Sequence, residues 1–179
     1  MLERNNCGLM IVDVQGALAR KVYASDQVIN NIARLTQCAR ILDLPIIWLE
    51  QYPTGLGHTV PEITEHLGGV DCLEKSHFCA LTESHIVDAV DKTNKKQWLV
   101  TGIEAHICVY QTVAAMLEGG FHVEVVSDGV SSRVNSNLEL ALTKMTALGA
   151  TLTSVEMAVY ELLKRAGTDE FKQILPVIK

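Results

Sequence analysis

The stretch Gln97-Trp98-Leu99-Val100-Thr101-Gly102-Ile103-Glu104-Ala105-His106-Ile107-Cys108 decides how the rest of the chain is read. Residues 97–101 form a short apolar run, followed by a tight connection through Thr101-Gly102. A helical pattern then runs from about Ala105 to Glu118, and Gly119-Gly120 stops it. A run that is apolar on both sides of the chain and feeds into a helix suits a parallel sheet covered on both faces. The same alternation extends in both directions. Strand candidates lie at 8–12, 46–49, 122–127 and 150–153, with a weaker, short edge candidate near 70–73. Val28, Ile32, Leu35, Ala39 and Leu42 draw one helical stripe; Ser25 and Asp26 supply its start signals, and Pro45 opens the next strand. A further helix is expected from Ser136, with Glu139 completing a capping box and Gly149 ending it. Ser154 and Thr168 read as caps of two last helices, the final one expected to swing out onto a partner subunit. Residues 51–81 read as loops over one end of the sheet. The expectation is an α/β protein: one three-layer α/β/α domain over 1–179, with right-handed crossovers and a parallel, Rossmann-like sheet.

Composition narrows the function. With 179 residues, 48% of them hydrophobic and 20% charged, the chain can bury a substantial core. A net charge of −6 argues against a nucleic-acid partner, and the basic pairs Arg20-Lys21, Lys95-Lys96 and Lys164-Arg165 read as solvated helix ends. The apolar run before Asp13 is too short to span a bilayer and no cleavage site follows it, so no membrane partner is expected and the cytosol is the expected address. Five cysteines without a Cys-x-x-Cys pair indicate neither a disulfide framework nor a zinc ribbon.

Ligands of open parallel sheets bind beyond the carboxyl ends of the strands. There the chain places Asp13 and Gln15, then Glu50 and Gln51, then Lys75, then the segment leading to Cys108, and finally Asp128 with Ser131-Ser132-Arg133. The segment Asp13-Val14-Gln15-Gly16-Ala17-Leu18 is no Gly-rich phosphate loop, and no Walker lysine pattern occurs, which argues against a nucleotide-binding domain. Cys108 falls at or near a helix's first turn, where the dipole favours thiolate and free amides can receive an oxyanion. The alternative is a cysteine packed as a small hydrophobe. Asp13 is either a solvated strand end or a carboxylate that takes the thiol proton. Spacing alone does not bring Lys75 to either.

Three segments, Asp13-Val14-Gln15, Lys75-Ser76-His77-Phe78 and Gly102-Ile103-Glu104-Ala105-His106-Ile107-Cys108, resemble in order the signatures of the isochorismatase-like cysteine hydrolases. The stretch from Glu50 to Gly57, with Thr59-Val60-Pro61-Glu62 and Ser131-Ser132-Arg133, is similar to the uncharacterised isochorismatase domain-containing branch. The resemblance covers nearly the whole chain. It implies a six-stranded parallel sheet and a triad of Asp13 as general base, Lys75 as the cation beside it and Cys108 as nucleophile. It also implies a cis peptide at Ile103–Glu104, aiming the backbone amides of Glu104 and Cys108 at an oxyanion. Nicotinamidases of the family hold a metal through an Asp-x-His motif. Here Glu50-Gln51-Tyr52 stands in its place, and His58 and His66 do not restore it, so neither metal nor other cofactor is expected.

The resulting expectation is hydrolysis of a small amide or related C–N bond through a thioester. The alternative is a non-hydrolytic small-molecule-binding or thiol-sensing protein that keeps the pocket. Gln15, Glu50, Tyr52, Phe78, His106 and Tyr110 are candidates to line it; Phe78 and Tyr110 could equally be core. Glu104 points to a neutral or cationic substrate group. A homo-oligomer is expected because relatives commonly form one.

Overall fold

The computed structural model describes residues 1–179. Six strands and the helices between them follow the expected alternation: β1 (Cys7–Val12), α1 (Gly16–Ala19), α2 (Ser25–Ile41), β2 (Ile46–Gln51), α3 (Pro53–Leu56), α4 (Pro61–Thr64) and β3 (Cys72–Lys75) make the first half. The second half is α5 (Ser84–Lys92), β4 (Gln97–Gly102), α6 (Tyr110–Glu118), β5 (His122–Val130), α7 (Asn135–Ala147), β6 (Thr151–Thr153), α8 (Val155–Leu163) and α9 (Asp169–Ile178). A π-helical turn, Ala105–Val109, leads into α6.

The sheet has the order β3-β2-β1-β4-β5-β6, and every pairing is parallel. Every residue of β1 is buried, because successive side chains point to opposite faces and both faces are covered. Leu9 and Ile11 join the core under α2 and α8, while Met10 and Val12 join the core under α6. Trp98, Val100 and Val125 extend the second core, and Ile32, Leu35 and Val159 the first. The chain order reverses between β1 and β4, so the sheet's switch point opens a crevice beyond those two strands. There the backbones come very close. A Cβ on Gly102, whose φ is 127°, would stand 2.0 Å from the Val12 carbonyl oxygen, so only glycine fits.

Several details depart from the sequence reading. The edge strand lies at Cys72–Lys75 instead of 70–73, which makes Lys75 its last residue. The crossover α5 was not anticipated; it buries only Ile86 and Val90, too little to draw a stripe. The Ser136 capping box does not form: α7 starts at Asn135, and Asn135 Nδ2 donates to Glu139 instead. The caps at Ser154 and Thr168 do form, accepting from the amides of Met157 (3.2 Å) and Phe171 (3.1 Å). The terminal helix α9 packs on its own chain, burying Ile174 in the core that α2 forms and pairing Glu170 with Arg4 at 3.0 Å. No helix is long and apolar enough to cross a membrane.

Candidate active site

Asp13 leaves the end of β1 with φ 55°, a left-handed conformation that Asp tolerates better than most residues, and its side chain is buried. Lys75 ends β3, two strands away, and its fully buried ammonium reaches back across β2. Lys75 Nζ donates to Asp13 Oδ2 at 2.6 Å and to Gln51 Oε1 at 2.6 Å, with the carbonyl oxygens of His77 and Phe78 at 3.3 and 3.4 Å. Gln51 is the register partner of Lys75 in the sheet, which puts its amide beside the ammonium. Asp13 Oδ1, also buried, has no hydrogen-bond partner. Cys108 lies inside the π-helical turn and lines the same crevice as Asp13.

Opposing influences act on the Cys108 thiol. Burial first, and then the Asp13 charge, push the Cys108 thiol up to about 12, with Lys75 pulling the other way. Burial likewise holds the Asp13 carboxyl above its ordinary value against the opposing pull of Lys75. Burial and the Asp13 charge thus oppose the thiolate that a helix terminus and an ammonium would favour. Asp13, with one unpartnered buried oxygen, lines the same crevice as the Cys108 thiol.

Beyond Cys108 lies a second charged group. The Ile103–Glu104 peptide is cis, and the Glu104 amide donates to no protein acceptor. The buried Glu104 carboxylate accepts from Arg133 Nε, and its Oε2 lies 3.3 Å from His106 Nδ1 without an aligned hydrogen bond. His106 Nδ1 is also 2.9 Å from Ser132 Oγ. Arg133 beside Glu104 offsets its charge, which weakens Glu104 as a pointer toward a cationic substrate group.

The crevice encloses about 310 Å³. Asp13, Gln51, Cys108, Glu104 and Arg133 supply its polar surface. Leu18, Leu56, Phe78, Ile103 and Ile107 supply apolar wall. Of the six lining candidates, only Phe78 is on that wall. Gln15 and Glu50 are internal struts: Gln15 bonds the backbone of Gln51 and Gly57, and Glu50 holds the Thr59 amide (2.6 Å) and His58 (3.0 Å). Together they pin the segment that carries Leu56, whose carbonyl lies so close to Gly16 that a Cβ there would meet it at 2.3 Å. Tyr52 turns outward over Gly55, beside a separate hollow lined by Glu74 and His85. His106 stands behind Glu104. Tyr110 packs in the second core with Lys144 4.5 Å from its ring centre. Gln51 and Arg133 are the polar residues the sequence reading passed over as lining groups; the alternation of β2 carried the signal, since Glu50 and Gln51 must face opposite ways. His66 is engaged by Gln37 at 2.9 Å, and no group of three or more potential ligands could hold a metal ion.

Comparison with known proteins adds an independent line. The family model described as the isochorismatase domain matches residues 7–157. A secreted isochorismatase effector, Isc1, of Phytophthora sojae is 36% identical over 177 residues, covering 96% of this chain and 83% of that protein. Isochorismatase domain-containing protein 2 of Danio rerio is 35% identical over 166 residues, covering 93% and 83%. Among solved structures, the MAR1 ribonuclease of Caenorhabditis elegans superposes with a TM-score of 0.93 at 34% identity, covering 99% of this chain and 91% of that one. YcaC of Pseudomonas aeruginosa, solved with hexane-2,5-diol and covalent acrylamide, gives 0.92 at 29%, covering 98% and 90%. YcaC of Escherichia coli, described as an octameric hydrolase of unknown specificity, gives 0.92 at 25%, covering 98% and 89%.

Proposed function

This chain belongs to the isochorismatase family, and from that premise we propose that it works as one hydrolase domain that cleaves a small amide or related C–N bond through a thioester on Cys108. The observation that carries the reading is the unpartnered Asp13 Oδ1 in the crevice that Cys108 also lines, with the other Asp13 oxygen held by Lys75. As sulfur attacks the carbonyl carbon, the thiol proton passes to Asp13 Oδ1, and the oxyanion is received by the amides of Glu104 and Cys108. Asp13 returns that proton to the leaving nitrogen as the C–N bond breaks. Water, deprotonated by Asp13, then attacks the thioester and releases the acid and the thiol. Lys75 acts by fixing and charging Asp13, and no cofactor enters any step.

The covalent acrylamide in the Pseudomonas relative supports a nucleophile within reach of small molecules, since acrylamide adds to thiols at its alkene carbon. The ribonuclease description of the nematode relative finds little support in this chain: its net charge is −6, and Lys75 and Arg133 are each paired with a carboxylate. The octameric relative and the exposed Leu148, Leu152, Met157 and Tyr160 on and beside the edge strand β6 support a homo-oligomer. Five unpaired cysteines suit a reducing compartment such as the cytosol.

The test is ammonia release from a panel of small primary amides, with hydroxylamine trapping of the acyl group on the enzyme. Turnover and trapped acyl should both vanish in Cys108→Ala while the circular dichroism is kept. Turnover that survives in Cys108→Ala rejects the mechanism. A Cys108 inert to every alkylating agent would favour the binding-protein alternative.

A further inference from the structure

The Lys75 ammonium has three N–H donors to place. Two make short contacts, with Asp13 Oδ2 and with Gln51 Oε1 at 2.6 Å each, and the His77 and Phe78 carbonyls stand around the third at 3.3 and 3.4 Å. Every donor is engaged, yet Asp13 Oδ1 receives none of them. A carboxylate can accept two donors side by side, so a buried ammonium with an idle N–H would turn it on the second oxygen. Gln51 is what keeps that donor occupied. Its own Nε2 donates to the Ser76 carbonyl at 2.8 Å, which turns Oε1 toward Lys75, its register partner in the sheet. Its backbone is fixed by the Gln15 side chain: Gln51 N donates to Gln15 Oε1 at 2.7 Å, and Gln15 Nε2 donates to the Gln51 carbonyl at 3.1 Å. The pairing of β1 with β2 ends at Val12 and Leu49, so the Gln15 amide stands in for a strand neighbour that β1 no longer supplies.

We propose that Gln51 is a positioning residue: by occupying one Lys75 donor with an uncharged acceptor, it confines the ammonium to Asp13 Oδ2 and leaves Oδ1 open to take a proton. The proposal deepens the reading of Asp13 as the base and rests on it. The lack of charge matters as much as the contact, because a carboxylate at this position would share the ammonium with Asp13. Cys108 in the π-helical turn and Glu50 on β2 also act on Asp13, and a substitution at Gln51 alters neither group.

The test is the titration of the Asp13 carboxyl, followed by carbon-13 NMR of protein labelled at the aspartate side-chain carboxyls. The Asp13 signal is identified among the eight aspartates by its loss in Asp13→Asn. Gln51→Met frees an N–H for Oδ1 and should lower the Asp13 midpoint by about one pH unit, a tenfold change in proton affinity and the size of one charge-assisted contact. Gln51→Asn, which withdraws the amide by one methylene, should lower it by less and serves if Gln51→Met does not fold. Gln51→Glu should raise the midpoint, and opposite shifts from one position are not what loosened packing produces. A midpoint unchanged or raised in Gln51→Met and Gln51→Asn overturns the proposal, as does a shift of one sign in all three variants. The titration uses neither substrate nor Cys108, so such a result leaves the nucleophile reading to be judged by ammonia release alone.

Discussion

Two ion pairs flank Cys108, and they differ in what each leaves open. Asp13–Lys75 is sealed: both side chains are buried, the contact is 2.6 Å, and Gln51 closes the far side of the ammonium. Glu104–Arg133 is sealed only at the carboxylate, while the guanidinium projects into the mouth of the crevice. Charge in a closed site interacts through a low effective dielectric and is costly to unbalance. Charge at the mouth is screened, and is free to meet what enters. The closed pair is therefore the costlier of the two to break.

The strongest way to break this comparison is to remove one partner of the closed pair. Lys75→Met strands a buried Asp13 carboxylate, and the expected loss is about 3–5 kcal/mol in urea unfolding at neutral pH. The sign of its pH dependence follows from Asp13, whose folded value is already raised by burial and rises further without Lys75. The stability of such a group is fully present below its unfolded value and lost as pH rises through its folded one. The gap between variant and wild type should therefore close as pH falls through the carboxylate range. A gap independent of pH would mean that Asp13 is not the stranded charge. Arg133→Met should cost less, because the Arg133 side chain is more than half exposed.

Asp13→Asn separates reactivity from catalysis. The Asp13 charge is the second cause of the raised Cys108 thiol, and the opposing pull of Lys75 would remain. The thiol should fall from about 12, and iodoacetamide labelling of Cys108 near pH 8 should speed up. Amide turnover should nevertheless drop by about 10²–10⁴-fold, the usual contribution of a positioned base. Labelling that slows together with turnover would return the preformed thiolate to favour.

On the open side, His106→Ala removes the neighbour of Glu104 Oε2 and the partner of Ser132. A stability loss of about 1–2 kcal/mol is expected. If the Glu104 amide receives the oxyanion, kcat should fall with KM little changed, since that contact is made in the transition state. A change in KM alone would assign His106 to packing or substrate binding.

How much of this was legible depends on which direction a side chain takes. The continuous apolar runs of β1 and β4 placed Asp13 and Cys108 beyond carboxyl ends of strands, because that rule needs only a parallel sheet; that the two strands are neighbours is seen in the fold. Lys75 entered through the family resemblance, since no spacing links an edge strand to a carboxylate two strands away. Gln15, Glu50 and Tyr52 stand in the right segments yet face a strut, a strap and solvent. A polar residue at a strand end looks the same in sequence whether it meets ligand or backbone. Arg133 sat in a matched motif, but its pairing with Glu104 joins β5 to the turn after β4 and has no local signature.

The smallest expected effect lies beneath the closed pair. Glu83 accepts from the amides of Ser76 (2.9 Å) and His77 (3.2 Å) and from His77 Nδ1 (2.9 Å), and these contacts hold its carboxyl down to about 2. They brace the turn whose His77 and Phe78 carbonyls lie against Lys75 Nζ and which carries Phe78 to the crevice wall. A carboxyl depressed in the fold contributes stability above its unfolded value, lost as pH falls toward the folded one. Glu83→Gln at neutral pH, or the wild type taken toward pH 2, should therefore lower the protection factors of the Ser76 and His77 amides, each referred to its intrinsic exchange rate at that pH. The β1 and β4 amides should be unmoved in Glu83→Gln at neutral pH. Equal acceleration across the sheet in that variant would make Glu83 part of the global fold. Acceleration confined to the turn would show that the closed pair rests on a brace that loosens by itself, as segments of low local stability do.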